Sequence, residues 1–131
     1  MTTKAHLLIV DDDANTLASL ARAFRLAGYE ATVCDSAERA LELAQADSFD
    51  LILSDVVMPG MNGLWLLEAL QRTEVAAPVV MISGHGNVET AVAAIKHGAY
   101  DFIEKPFKAD RLVLVAERAL ETSRLKREVK Q

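Results

Sequence analysis

The chain has a single cysteine, Cys34, among its 131 residues. An internal disulfide is therefore excluded, and a reducing cytoplasm is the expected home. The preceding Ala31-Thr32-Val33 has the pattern of a buried strand, which makes Cys34 an inert core thiol. No run approaches the ~20 apolar residues that span a bilayer. No charged-then-apolar leader opens the chain, so no membrane association is expected. Positive charge is also scarce, with 14 Lys and Arg against 19 Asp and Glu and a formal net charge of -5. That balance disfavours nucleic acid as a direct partner of this domain. What is present is globular: 51% apolar and 25% charged residues, in a length suited to one domain with a real core.

Short apolar runs alternate with helical patterns. Leu7-Leu8-Ile9-Val10 has the length of a strand buried on both faces. Leu17, Leu20, Phe24 and Ala27 then form one stripe of a helix over 14–27, stopped by Gly28. A weaker strand, Thr32-Val33-Cys34, precedes a helix to about Ala46, for which Asp35 and Glu38 suggest a capping box. The third strand is Leu51 to Ser54, followed by a turn sequence from Met58 to Gly63. A helix over Gly63–Arg72 turns Leu64, Leu67 and Leu70 inward. Val79 to Ile82 is the fourth strand, Val88 to His97 the fourth helix with Gly98 as its stop, and Asp101 to Ile103 the fifth strand. From Ala109 onward the pattern is helical. Five strands alternating with five helices predict an α/β, flavodoxin-like, doubly wound sandwich: a five-stranded parallel sheet with helices on both faces.

Right-handed crossovers point every strand the same way, so all C-terminal strand ends share one edge of the sheet. Four of the five carry polar groups: Asp11 and Asp12, Asp55, Ser83, and Lys105. Only the second strand, expected at the sheet margin, lacks one. If these ends converge, they form an acidic pocket with one hydroxyl and one ammonium, suited to a divalent cation and a phosphoryl group. Mg²⁺ takes oxygen ligands, commonly a carboxylate or two with water and phosphate. With Lys105 it would balance the three carboxylates. Plainer roles compete at each position. Asp13 suits a helix N-terminus, where the dipole favours an acid; Asp55 could be a turn residue; Ser83 could cap a helix, although Asn87 is better placed. Lys105 is followed by Pro106-Phe107, which stiffens the chain beside the acids.

Taken in order, Ile9-Val10-Asp11-Asp12-Asp13, Ser54-Asp55-Val56-Val57-Met58-Pro59-Gly60-Met61-Asn62-Gly63, Ile82-Ser83-Gly84 and Glu104-Lys105-Pro106-Phe107 resemble the receiver domain of two-component response regulators. The resemblance covers residues 5–121, with 122–131 as the start of a C-terminal linker helix. It implies that Asp55 accepts a phosphoryl group from a sensor histidine kinase or phosphotransfer protein. It also implies that Asp12 and Asp55 bind Mg²⁺ directly, that Asp11 assists through water, and that the Val57 backbone carbonyl completes the protein ligands. Lys105 and the Gly84 N–H would contact phosphoryl oxygens, and the Lys105-Pro106 bond would be cis. Ser83 and Phe102 would be the switch pair, the hydroxyl swinging toward the phosphoryl group and the ring turning inward. An apolar Val57 offers no side chain to position water, so self-dephosphorylation should not be unusually fast.

The stretch from Gly84-His85-Gly86-Asn87 through Ala99-Tyr100-Asp101-Phe102, and the run from Lys108 to Val129, further resemble receivers of the nitrogen-regulation type, which control transcription. DNA would then be contacted only through an output module outside this chain, and a homodimer through the fourth-helix and fifth-strand face is a family expectation. Three other readings stay open at this level. One is a free-standing phosphorelay receiver. Another is a degenerate receiver that only docks. The third is a haloacid-dehalogenase-type phosphatase, for which Asp11 and Asp13 have the spacing but Asn15 stands where Thr or Val is wanted.

Overall fold

The computed structural model describes residues 5–58, 61–73, 75, 77–84, 88–105 and 108–129. Its main sheet is formed by β1 (His6–Val10), β2 (Glu30–Cys34), β3 (Leu51–Asp55), β6 (Val79–Ser83) and β7 (Asp101–Glu104), the five strands anticipated from the apolar runs. Between β3 and β6 lie two further two-residue strands, β4 (Val57–Met58) and β5 (Met61–Asn62). All pairings in the main sheet are parallel, in the order β2-β1-β3-β6-β7, so β2 lies at the margin as expected. The helices are α1 (Ala14–Leu26), α2 (Ala37–Ala46), α3 (Gly63–Arg72), α4 (Val88–Lys96) and α5 (Ala109–Val129).

Alternation along the strands divides the core into two layers. Leu7, Ile9, Leu51, Leu53, Val80, Ile82 and Ile103 face α1 and α5, meeting Leu17, Leu20, Phe24, Leu112 and Ala116. Leu8, Val10, Ile52, Val79 and Met81 face the other way, toward α2, α3 and α4. Both faces are covered, which explains why β1, β3 and β6 carry continuous apolar runs rather than alternating ones. Phe24 is fully buried and meets Tyr29 edge-on, with ring centroids 5.9 Å apart. Leu66 joins Leu67 and Leu70 as a buried residue of α3, while Leu64 is only half-buried.

Helix ends follow local chemistry. Asp13 caps α1, its carboxylate accepting from the Asn15 N–H at 3.2 Å and from the Thr16 hydroxyl at 2.7 Å. Those two bonds, the hydroxyl foremost, hold the Asp13 carboxyl below its usual range. Gly28 and Gly98 lie past the ends of α1 and α4 at φ 97 and 105, the left-handed conformation that terminates a helix. The start of α2 corrects the expected capping box. Its cap is Ser36, in an extended conformation with its side chain accepting from the Arg39 N–H, not Asp35. Asp35 comes one residue too early, and Glu38 serves as an acid in the first turn. The turn sequence after Asp55 also holds more order than expected, since β4 and β5 pair antiparallel with Val57 opposite Asn62.

Cys34 is buried at the end of β2, and its thiol donates to the Ser36 carbonyl at 3.2 Å. Burial pushes the thiol above its ordinary 9.0, and the hydrogen bond only partly offsets this. The unfolded chain thus releases this proton first. The associated stability is complete below pH 9.0 and is lost as pH rises from there through the folded-state value. Two outcomes are expected. Native Cys34 should react with a thiol reagent at pH 8 far more slowly than in denaturant, and Cys34→Ala should flatten the alkaline decline of the unfolding midpoint. Separately, Ser36→Ala should cost about 1 kcal/mol in urea unfolding, and Asp35→Ala less than about 0.5 kcal/mol.

Candidate functional site

Because all five strands of the main sheet are parallel, their C-terminal ends gather at one edge. Asp11 follows β1 directly, Asp55 ends β3, Ser83 ends β6 and Lys105 follows β7. Asp11, Ser83 and Asp55 are buried, at 2%, 1% and 7% exposure, whereas Asp12 is exposed. Three carboxylates of this group, from Asp11, Asp12 and Asp55, each offer an oxygen within 4.8 Å of the others. That donor set is all oxygen, the ligand type a hard divalent cation prefers. It mixes two buried groups with one open to water.

Lys105 joins the cluster. Its ammonium donates to Asp11 Oδ2 at 3.3 Å and to Asp55 Oδ2 at 3.5 Å. Burial alone would draw its proton affinity down, but attraction to Asp55 and then Asp11, with both hydrogen bonds, holds it above the ordinary 10.5. The side chain is 28% exposed. Its backbone N–H donates to the Ser83 carbonyl at 2.7 Å, anchoring the loop after β7 to the end of β6. A Cβ added at Gly84 would lie 3.6 Å from Lys105 Cδ, so the lysine stem passes directly over the glycine. Asp11 is tied at both oxygens, since Oδ1 accepts the Asp13 N–H at 2.9 Å.

The remaining predicted residues are spread more widely. Val57 lies in β4, just beyond Asp55. Ser83 stands one residue past Ile82, the partner of Asp55 across the sheet, and opposite Glu104. Phe102 is on β7, half-buried against the α2, α3 and α4 layer beside its register partner Met81. Pro106, His85 and Asn87 lie outside the described residues, as do the Lys105-Pro106 bond and the expected Asn87 cap. Asp13 is exposed and engaged in capping α1, which leaves the phosphatase reading without its second acid.

Some features had no sequence signal. His97 Nδ1 lies 3.2 Å from Glu68 Oε1, joining α4 to α3, and Tyr100 Oη lies 3.4 Å from Thr122 Oγ1 on α5. The partners are distant in sequence, so no local pattern could have paired them.

The family profile described as the response regulator receiver domain matches residues 7–117. The chain belongs to the response regulator receiver family. It is 52% identical to the nitrogen assimilation regulatory protein NtrX of Azorhizobium caulinodans over 97% of its length. It is 42% identical to the transcriptional regulatory protein FixJ of Bradyrhizobium diazoefficiens over 92%. It spans 29% of the first relative and 58% of the second, and so corresponds to part of each. The crystal structure of NtrX from Brucella abortus superposes with a TM-score of 0.89 at 50% identity, covering 95% of this chain and 28% of that one. The beryllofluoride-activated NtrC4 receiver domain dimer gives 0.85 at 34% identity, covering 90% and 98%. The receiver fold and the nitrogen-regulation likeness expected from the motifs are thereby established.

Lys105 faces two buried carboxylates, so Lys105→Met should destabilise this receiver by about 1–3 kcal/mol in a chelator-containing buffer. Urea unfolding repeated with millimolar Mg²⁺ should show a smaller loss, because the cation takes over part of the neutralisation. Equal losses in both buffers would contradict that account.

Proposed function

We propose that this receiver is a phosphorylation-activated switch in which Asp55 accepts a phosphoryl group from a sensor histidine kinase or phosphotransfer protein. The observation that carries the proposal is the single ammonium of Lys105 spanning Asp11 and Asp55 within a three-carboxylate cluster. Asp11, Asp12, Asp55 and the Val57 carbonyl would hold Mg²⁺, which when bound supplies positive charge to the equatorial phosphoryl oxygens. A carboxylate oxygen of Asp55 forms the new P–O bond as the bond from phosphorus to the donor nitrogen or oxygen breaks. The electron pair departs with the donor. Lys105 holds the Asp55 carboxylate in place and offers its ammonium to the incoming oxygens. Such transfers have a loose transition state, so position and charge supply most of the acceleration. Hydrolysis of the acyl phosphate by water returns the carboxylate.

Phosphorylation adds oxygens that accept hydrogen bonds. The Ser83 hydroxyl and the Gly84 N–H, at the end of β6, are the donors proposed to answer, and Phe102 repacks on β7 in response. The half-buried position of Phe102 against the α2, α3 and α4 layer supports this. The change is a shift in population between two packings. Its readout would be the face of α4 and β7, where Val92, Ile95 and Tyr100 are exposed apolar groups suited to a homodimer contact. The relatives NtrX and FixJ are named as regulatory proteins, which supports an output module acting on transcription, reached through a linker beginning in α5. Residues 5–121 would then be the receiver proper and 122–131 the start of that linker. No helix among the described residues is long and apolar enough to cross a membrane, and a cytoplasmic location follows from the proposed partners.

The test is intact mass after incubation with acetyl phosphate and Mg²⁺. The chain should gain one phosphoryl group, and Asp55→Asn should gain none. An unmodified wild type after exhaustive treatment would overturn the proposal.

A further inference from the structure

Ser54 is fully buried in β3, between the apolar run Leu51–Leu53 and the acceptor Asp55. The sheet register sets it beside Val10 on one side and Met81 on the other. Both neighbours belong to the apolar layer facing α2, α3 and α4. A hydroxyl in that row costs desolvation that an alanine would not, unless it is well bonded. It is bonded to one particular group. Ser54 Oγ donates to the backbone carbonyl of Asp55 at 3.1 Å.

The next atoms along the chain are held as well. The Val56 N–H, on the same peptide unit, donates to the Ile82 carbonyl at 2.9 Å. The peptide linking Asp55 to Val56 is thus gripped at its oxygen by Ser54 and at its nitrogen by β6. The β1–β3 register ends at Val10 opposite Ser54, so this grip begins where the pairing with β1 stops. Peptide units are rigid planes. Holding one at both ends settles ψ of Asp55 and φ of Val56, and with them the direction in which the Asp55 carboxylate leaves the backbone. It also sets the path into Val57. We infer that Ser54 is a positioning residue for the phosphoryl chemistry, acting through the Asp55–Val56 peptide. This rests on the reading of Asp55 as the phosphoacceptor. The competing view is that the hydroxyl merely satisfies itself and Ser54 only fills space.

The experiment measures the initial rate of mass gain with acetyl phosphate, the Mg²⁺ concentration giving half that rate, and the thermal midpoint. It compares the 131-residue chain with Ser54→Ala, Ser54→Cys and Ser54→Thr. Serine to cysteine keeps the shape and weakens the donor, whereas threonine keeps the hydroxyl. At a temperature where every variant is folded, Ser54→Ala and Ser54→Cys should be slowed about three- to tenfold, the span of one hydrogen bond. Ser54→Thr should stay within about twofold of wild type. Should Ser54→Ala fail to fold, Ser54→Cys carries the comparison alone. Rates for Ser54→Cys and any folded Ser54→Ala equal to wild type, with only the thermal midpoint lowered, would overturn the inference while leaving Asp55 as acceptor. A wild type that gains no mass would instead sink the acceptor reading itself.

Discussion

Three carboxylates gathered at one edge of a sheet repel one another, and this structure is organised around containing that repulsion. Two of them, on Asp11 and Asp55, are buried, where charges interact more strongly than in water. The ammonium of Lys105 lies within 3.5 Å of both. Asp11 is further held by the Asp13 N–H, so the turn that opens α1 is locked to the cluster. The third carboxylate, on Asp12, stays exposed, which leaves part of the charge to water or to a cation.

The apolar layers exist to make this edge rigid. β1, β3 and β6 are buried on both faces, and a strand so enclosed cannot slip in register without exposing its side chains to the wrong layer. Strand ends are therefore placed with the precision of the core. Short links then tie the loops beyond those ends back to the sheet: the Lys105 N–H to Ser83, the Val56 N–H to Ile82, and the Asp11 N–H to Cys34. A site assembled from four loops gains its fixed geometry this way. Elsewhere the packing is more open: Phe102 is half-buried, and Val92 and Ile95 of α4 are exposed.

The sequence by itself determined the number, order and type of the main elements, because four- and five-residue apolar runs alternate with helical stripes. It also marked which strand ends are polar, since a polar residue closing an apolar run is visible without coordinates. Local details were less secure. Asp35 and Ser36 are both good helix caps, and choosing between them depends on the backbone angles at residue 36. The β4–β5 pairing likewise hides in a segment whose composition signals only a turn. Tertiary structure alone decided that Lys105 reaches Asp11 across 94 positions of sequence and that His97 meets Glu68. The physical reason is range. Periodicity and capping act within a turn or two of the chain, whereas an ion pair forms wherever folding brings opposite charges together.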